Sequence, residues 1–120
     1  MRVAGIGFRR AASVASLRDA LTRAGGPVDM LATVAGKAET PVMQELARSL
    51  GLPVRATGRE VLGAQVTLTE SAKVRARFGT GSVAEAAALA VAGPGARLLG
   101  PRVVSGDGLA TAAIAERDES

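Results

Sequence analysis

Short apolar runs alternate along this chain with longer segments whose apolar positions recur at helical spacing, the pattern of strands covered on both faces by helices. The first run opens the stretch RVAGIGFRRAAS, residues 2–13. It predicts a buried strand, a Gly5-Ile6-Gly7 turn followed by Arg9 and Arg10, and Ser13 as the cap of a helix. Val14, Leu17, Leu21 and Ala24 then repeat at helical spacing, and Gly25-Gly26-Pro27 supplies a stop. Asp29 to Val34 reads as a second buried strand. Thr40 and Pro41 open the next helix as cap and first helical residue, with Val42, Met43, Leu46, Ala47 and Leu50 as its buried stripe and Gly51 as its end.

Pro53 to Ala56 predicts a third, short strand. Thr57-Gly58-Arg59-Glu60 has capping-box spacing ahead of Val61 and Leu62, so a short helix is expected, followed by an irregular connection from Gln65 to Glu70. Lys73, Val74, Arg75, Arg77 and Phe78 predict a helical turn or two with a solvated basic face. A second glycine turn, Gly79-Thr80-Gly81, leads into Ser82-Val83-Ala84-Glu85, a capping box opening an alanine-rich helix that ends near Gly93-Pro94-Gly95. Arg97 to Val104 and Leu109 to Ala115 predict two strands, joined as an antiparallel hairpin by Ser105-Gly106-Asp107-Gly108. The fold class is therefore α/β over residues 1–115, with a mixed, mainly parallel sheet ending in that hairpin, and an acidic flexible tail at 116–120.

Composition narrows the chemistry. The 120 residues include no cysteine and no histidine. Disulfides, the usual zinc sites, a thiol nucleophile and a Ser-His-Asp triad are all excluded, and no metal or cofactor is expected. The longest apolar run, Ala86 to Ala92, is far short of the roughly 20 residues that span a bilayer, so a soluble cytoplasmic protein without a membrane partner is expected. The formal charge is +4. Setting aside the three acids and one arginine of the tail leaves 14 bases against 8 acids in the body. Thirteen of the 15 bases are arginine, whose fixed fork suits carboxylate and phosphate; GC-rich coding would give the same excess, and composition leaves both accounts open. Two phenylalanines, with no tyrosine or tryptophan, offer little for nucleobases to stack on. A small polyanion fits better than nucleic acid.

Glycines between a strand and a helix N-terminus let backbone N–H groups approach an anion, so Gly5, Gly7, Arg9 and Arg10 form one candidate site. A plain solvated turn is the alternative, because Arg10 stands where a dinucleotide fingerprint needs its third glycine and no Walker lysine is present. Lys37 follows the second strand and therefore falls at the same sheet edge, where open α/β sheets bind ligands; Arg9, Arg10 and Lys37 are predicted to line one cleft. Gly79, Gly81 and Ser82 make a second anion-attracting terminus. If the chain is a hydrolase, its general base must be a carboxylate such as Glu85 or Glu39, with Lys37 or an arginine to stabilise the oxyanion, since the chain has no histidine. Glu85 has a plainer role open to it, as the reciprocal arm of the Ser82 cap.

The series GIGFRR, LATVAGKAE, ELARSLGLP, GTGSVAEAAAL and ATAAIA, in this order over nearly the whole chain, resembles the CobE family, equivalent to the C-terminal domain of CbiG, in cobalamin biosynthesis. Gly7, Arg9, Arg10, Lys37, Glu39, Ser82 and Glu85 match the family's motif stretches. The chain departs from the pattern at Phe8, where the family often has cysteine, and at Ala11, where it often has glycine, so no thiol role carries over. The resemblance implies a three-layer α/β/α domain acting on anionic corrin-ring (precorrin) intermediates. In CbiG-type enzymes a ring lactone is opened and a two-carbon fragment leaves as acetaldehyde. It leaves open a lactone hydrolase, a non-catalytic carrier passing the macrocycle between pathway enzymes, and, from the glycine turn alone, a generic phosphate or nucleotide binder. A homodimer is also left open.

Overall fold

Residues Arg2–Phe8 form β1, and its side chains alternate between two cores. Ala4, Ile6 and Phe8 face Leu17 and Leu21 of α1 (Val14–Ala24) and Met43 and Leu46 of α2 (Pro41–Leu50). Val3 faces the other way, into the alanines of α5 (Val83–Ala92). The computed structural model describes residues 1–118. β2 (Met30–Val34) and β3 (Val54–Thr57) extend the sheet in parallel from β1. On the other side β6 (Ala110–Glu116) runs antiparallel to β1 over its whole length, from Arg2 opposite Glu116 to Phe8 opposite Ala110. With β4 (Arg97–Leu98) and β5 (Val103–Val104), the strand order is β3-β2-β1-β6-β4, with β5 also on β6. The fold is thus the three-layer α/β/α arrangement with a mixed sheet, its parallel part confined to the first three strands. Two short helices, α3 (Arg59–Gly63) and α4 (Ala72–Phe78), stand with α5 on one face.

Several local expectations are corrected. Gly5 and Gly7 lie inside β1 and not in a turn. A Cβ on Gly5 would stand 1.8 Å from the carbonyl oxygen of Ala84, so the glycine serves the close approach of α5 to the sheet. The chain reverses later, where the Ala12 N–H donates to the Arg9 carbonyl at 3.0 Å. The run Arg97 to Val104 is two short strands, β4 (Arg97–Leu98) and β5 (Val103–Val104), because Pro101 between them has no N–H to give the ladder. The hairpin itself is present, closed by Ser105 N–H to the Ala110 carbonyl at 2.8 Å.

Cap assignments also change. Ser13 caps α1 as expected, reciprocally with Ser16. Thr57 belongs to β3, Gly58 takes the cap position of α3, and the buried Thr57 hydroxyl has no partner among the described residues. Pro41 opens α2, but the Thr40 hydroxyl donates back to the Lys37 carbonyl at 2.7 Å and so ties down the loop that carries Lys37. Glu116, expected in the flexible tail, ends β6 because its carboxylate holds Arg2 at 2.7 Å and Arg97 at 2.6 Å. Residues 119–120 of that tail lie outside the described residues.

Candidate functional site

Where β1 and β2 end and β6 begins, the loops enclose a cleft of about 540 Å³. Arg9, Arg10 and Lys37 line it together, as strand ends of one sheet edge should. Lys73 and Arg77 of α4 and, from the β4–β5 connection, Arg102 also line it. Its apolar lining includes Phe8, Val74, Phe78, Val83 and Leu109. Six cationic side chains therefore converge, and no Asp or Glu lines the cleft among the described residues. Such a surface attracts anions and repels itself.

Lys37 is half-buried in the cleft. Its ammonium donates to the Phe8 carbonyl at 3.0 Å and lies 4.7 Å from the centre of the Phe8 ring. Burial holds its pKa below the ordinary lysine value, and repulsion from Arg77 and Arg10 adds to the shift. An anion in the cleft would reverse the second effect. Among the described residues no cluster of acids could hold a metal ion, and no helix is long and apolar enough to cross a membrane.

Most of the other expected site residues lie elsewhere. Gly7 lines the cleft, but Gly5 is buried under α5. Gly79, in the left-handed region at φ 75°, ends α4, while Gly81 and Ser82 are buried beside it; none of the three lines the cleft. Glu39 is exposed and outside the cleft. Glu85 is wholly buried and also outside. Its N–H donates to Ser82 Oγ at 3.2 Å, yet its carboxylate does not return to the cap. The carboxylate instead accepts from Leu68 N–H (2.5 Å), Thr69 N–H (3.0 Å), Thr69 Oγ1 (2.5 Å) and Arg102 N–H (2.8 Å). Burial opposes its ionisation, but those hydrogen bonds outweigh burial and hold its pKa below the usual carboxylate value.

A family model described as cobalamin synthesis G C-terminus matches residues 2–115, a span that includes every residue of the cleft. The chain belongs to that family. It is a protein of cobalamin biosynthesis. The crystal structure of CobE, a protein from the cobalamin (vitamin B12) biosynthetic pathway, is similar at a TM-score of 0.88 and 36% identity, covering 100% of this chain and 92% of that one. Cobalamin biosynthesis protein chiG from Agrobacterium tumefaciens str. C58 is similar at a TM-score of 0.72 and 38% identity, covering 99% of this chain and 100% of that one. No curated protein sequence matches the chain.

Within this family member the α4 wall and Arg102 are what sequence reasoning missed. Lys73 and Arg77 were legible as basic residues, but a solvated helix face looks the same as a cleft wall in sequence. Arg102 had no local signal beyond its charge. A second depression, of about 580 Å³, lies between α5 and the 64–68 segment. Val66, Leu68, Leu89 and Leu98 line it, and its one arginine, Arg97, is already held by Glu116 and Asp118. The basic cleft carries the chemistry.

Proposed function

We propose that the cleft binds a polycarboxylated corrin-ring intermediate of cobalamin biosynthesis, at the precorrin stage. The convergence of six cations on a partly apolar cleft carries this reading. A corrin precursor is a broad apolar ring rimmed by acetate and propionate groups, so Phe8, Val74 and Phe78 suit the ring and the arginines suit its rim. The volume is in the range of small-molecule sites, and an open cleft admits one edge of a larger ring. Among the described residues the lining offers no carboxylate to act as a base. That favours a binding or carrier role, in which the macrocycle passes to another enzyme of the pathway, over opening of a ring lactone.

Visible absorbance on titration with a polycarboxylic corrin, and with its fully amidated counterpart, tests the proposal. The carboxylated ring should bind and the amidated ring should not. Lys37→Ala and Arg77→Ala should each weaken binding by about tenfold, the usual scale for one charge-assisted hydrogen bond. Equal affinity for both rings would overturn carboxylate recognition. Acetaldehyde released from a lactone-bearing ring would restore the hydrolase over the carrier.

A further inference from the structure

We propose that Glu85 is a positioning residue for the basic cleft: its carboxylate ties the strap before α4 and the backbone of Arg102 to α5, and so fixes two cleft walls on the sheet. The inference rests on the cleft being the binding site. Glu85 is the one charged side chain that is buried among the described residues. Its four donors come from two segments that are distant in sequence from α5, at Leu68-Thr69 and at Arg102. The first runs through Glu70 into Ser71, the cap of α4. The second carries a cleft arginine directly.

These walls have a few other ties: the Arg59 guanidinium donates to the Arg77 carbonyl of α4, and Val103, next to Arg102, pairs with Ala112 of β6. α4 buries none of its own residues; Val74 and Phe78 pack only partly against the α5 core. The Glu70–Arg75 ion pair is exposed and stays within the strap and helix. Ser71 N–H does reach the Gly81 carbonyl at 3.0 Å, and the strap lies so close over Gly81 that a Cβ there would stand 2.5 Å from the Thr69 carbonyl oxygen. Lys73, Arg77 and Arg102 thus share with Arg9, Arg10 and Lys37 the lining of a cleft whose like charges repel. Glu85 opposes that repulsion from beneath. The group must be a carboxylate, because four donors match its acceptor sites, whereas an amide would turn its own N–H groups toward one of them.

Amide hydrogen exchange on the ligand-free protein reads the anchoring, and affinity for a polycarboxylic corrin with its salt dependence reads the consequence. In Glu85→Gln the amides of Leu68, Thr69, Arg102 and α4 should exchange faster. Corrin affinity should fall about tenfold, the scale of a lost charge-assisted bond, with a shallower salt dependence because Lys73, Arg77 and Arg102 are held less firmly. Thr69→Val removes a single donor and should move the same readouts less, which keeps the test open should the glutamine variant not fold. Wild-type affinity and salt dependence in folded variants, with only a lower melting temperature, would overturn the proposal and leave Glu85 a core residue. Failure of the wild type to bind any corrin would overturn the cleft reading alone. Unchanged α4 exchange in both variants would separately overturn the anchoring.

Discussion

A methyl group at Gly5 would meet the backbone of α5 at two points, the Ala84 carbonyl oxygen at 1.8 Å and the Ala88 nitrogen at 2.8 Å. Backbone cannot swing aside as a side chain does, so α5 would have to lift from β1 and open the packing of its alanines. Gly5→Ala is therefore expected to destabilise the fold by about 3 kcal/mol, at the upper end for overpacked cores, as read by urea denaturation. A loss below about 1 kcal/mol would mean that α5 slides freely over the strand. In sequence this glycine looked like a turn, because glycine marks turns and close approaches alike. Glu85 was misread for a related reason. Ser-x-x-Glu spacing reports that a cap is within reach, and the Ser82 half of it forms. The competing donors at Leu68, Thr69 and Arg102 come from loops that no local pattern brings together. Lys37 was readable because its place depends only on following a parallel strand.

Between elements, the hairpin loop is held to α1 by carboxylates. Asp107 accepts from Ser105 Oγ at 2.6 Å, from Ser16 Oγ of α1 at 2.5 Å and from Leu109 N–H at 3.0 Å, while Asp19 of α1 accepts from Gly106 N–H at 2.7 Å. The hydroxyls of Ser105 and Ser16, with the Leu109 N–H, hold the Asp107 pKa down at about 2, from an ordinary 3.8. A carboxyl depressed on folding contributes stability that is full above its unfolded value and is lost as pH falls through its folded one. The stability gap between wild type and Asp107→Asn should accordingly be constant above 3.8 and shrink as the pH falls to about 2. A gap indifferent to pH across that window would show that charge is not what Asp107 contributes. Helices α1 and α2 were legible from apolar spacing and glycine stops, and the hairpin from its turn residues. The break between β4 and β5 was also written in the chain, at Pro101, but the apolar residues around it outweighed that one signal.

On the scale of the whole molecule, composition shows an excess of bases but not their address, since Arg9, Lys37, Arg77 and Arg102 meet only once the chain is folded. The pairing of β1 with β6 settles another address. The Met1 ammonium donates to the Arg117 carbonyl at 2.9 Å, and Arg117 N–H donates back to the Met1 carbonyl at 2.9 Å. From there the two strands run in register to Phe8 and Ala110, where the cleft starts. Residues 1 and 117 are therefore side by side, a strand's length of about 20 Å from the cleft. The order of the chain can then be rewired without touching the site. A circular permutant, with a short glycine linker joining residue 117 to residue 1 and new ends opened between the exposed Gly26 and Pro27, should fold and keep the corrin affinity of the parent. Binding lost in a folded permutant would mean that the far end of the β1–β6 pair controls the cleft. Binding kept would make this domain a module that can be spliced into another protein by one edge while the opposite edge stays open to its ligand.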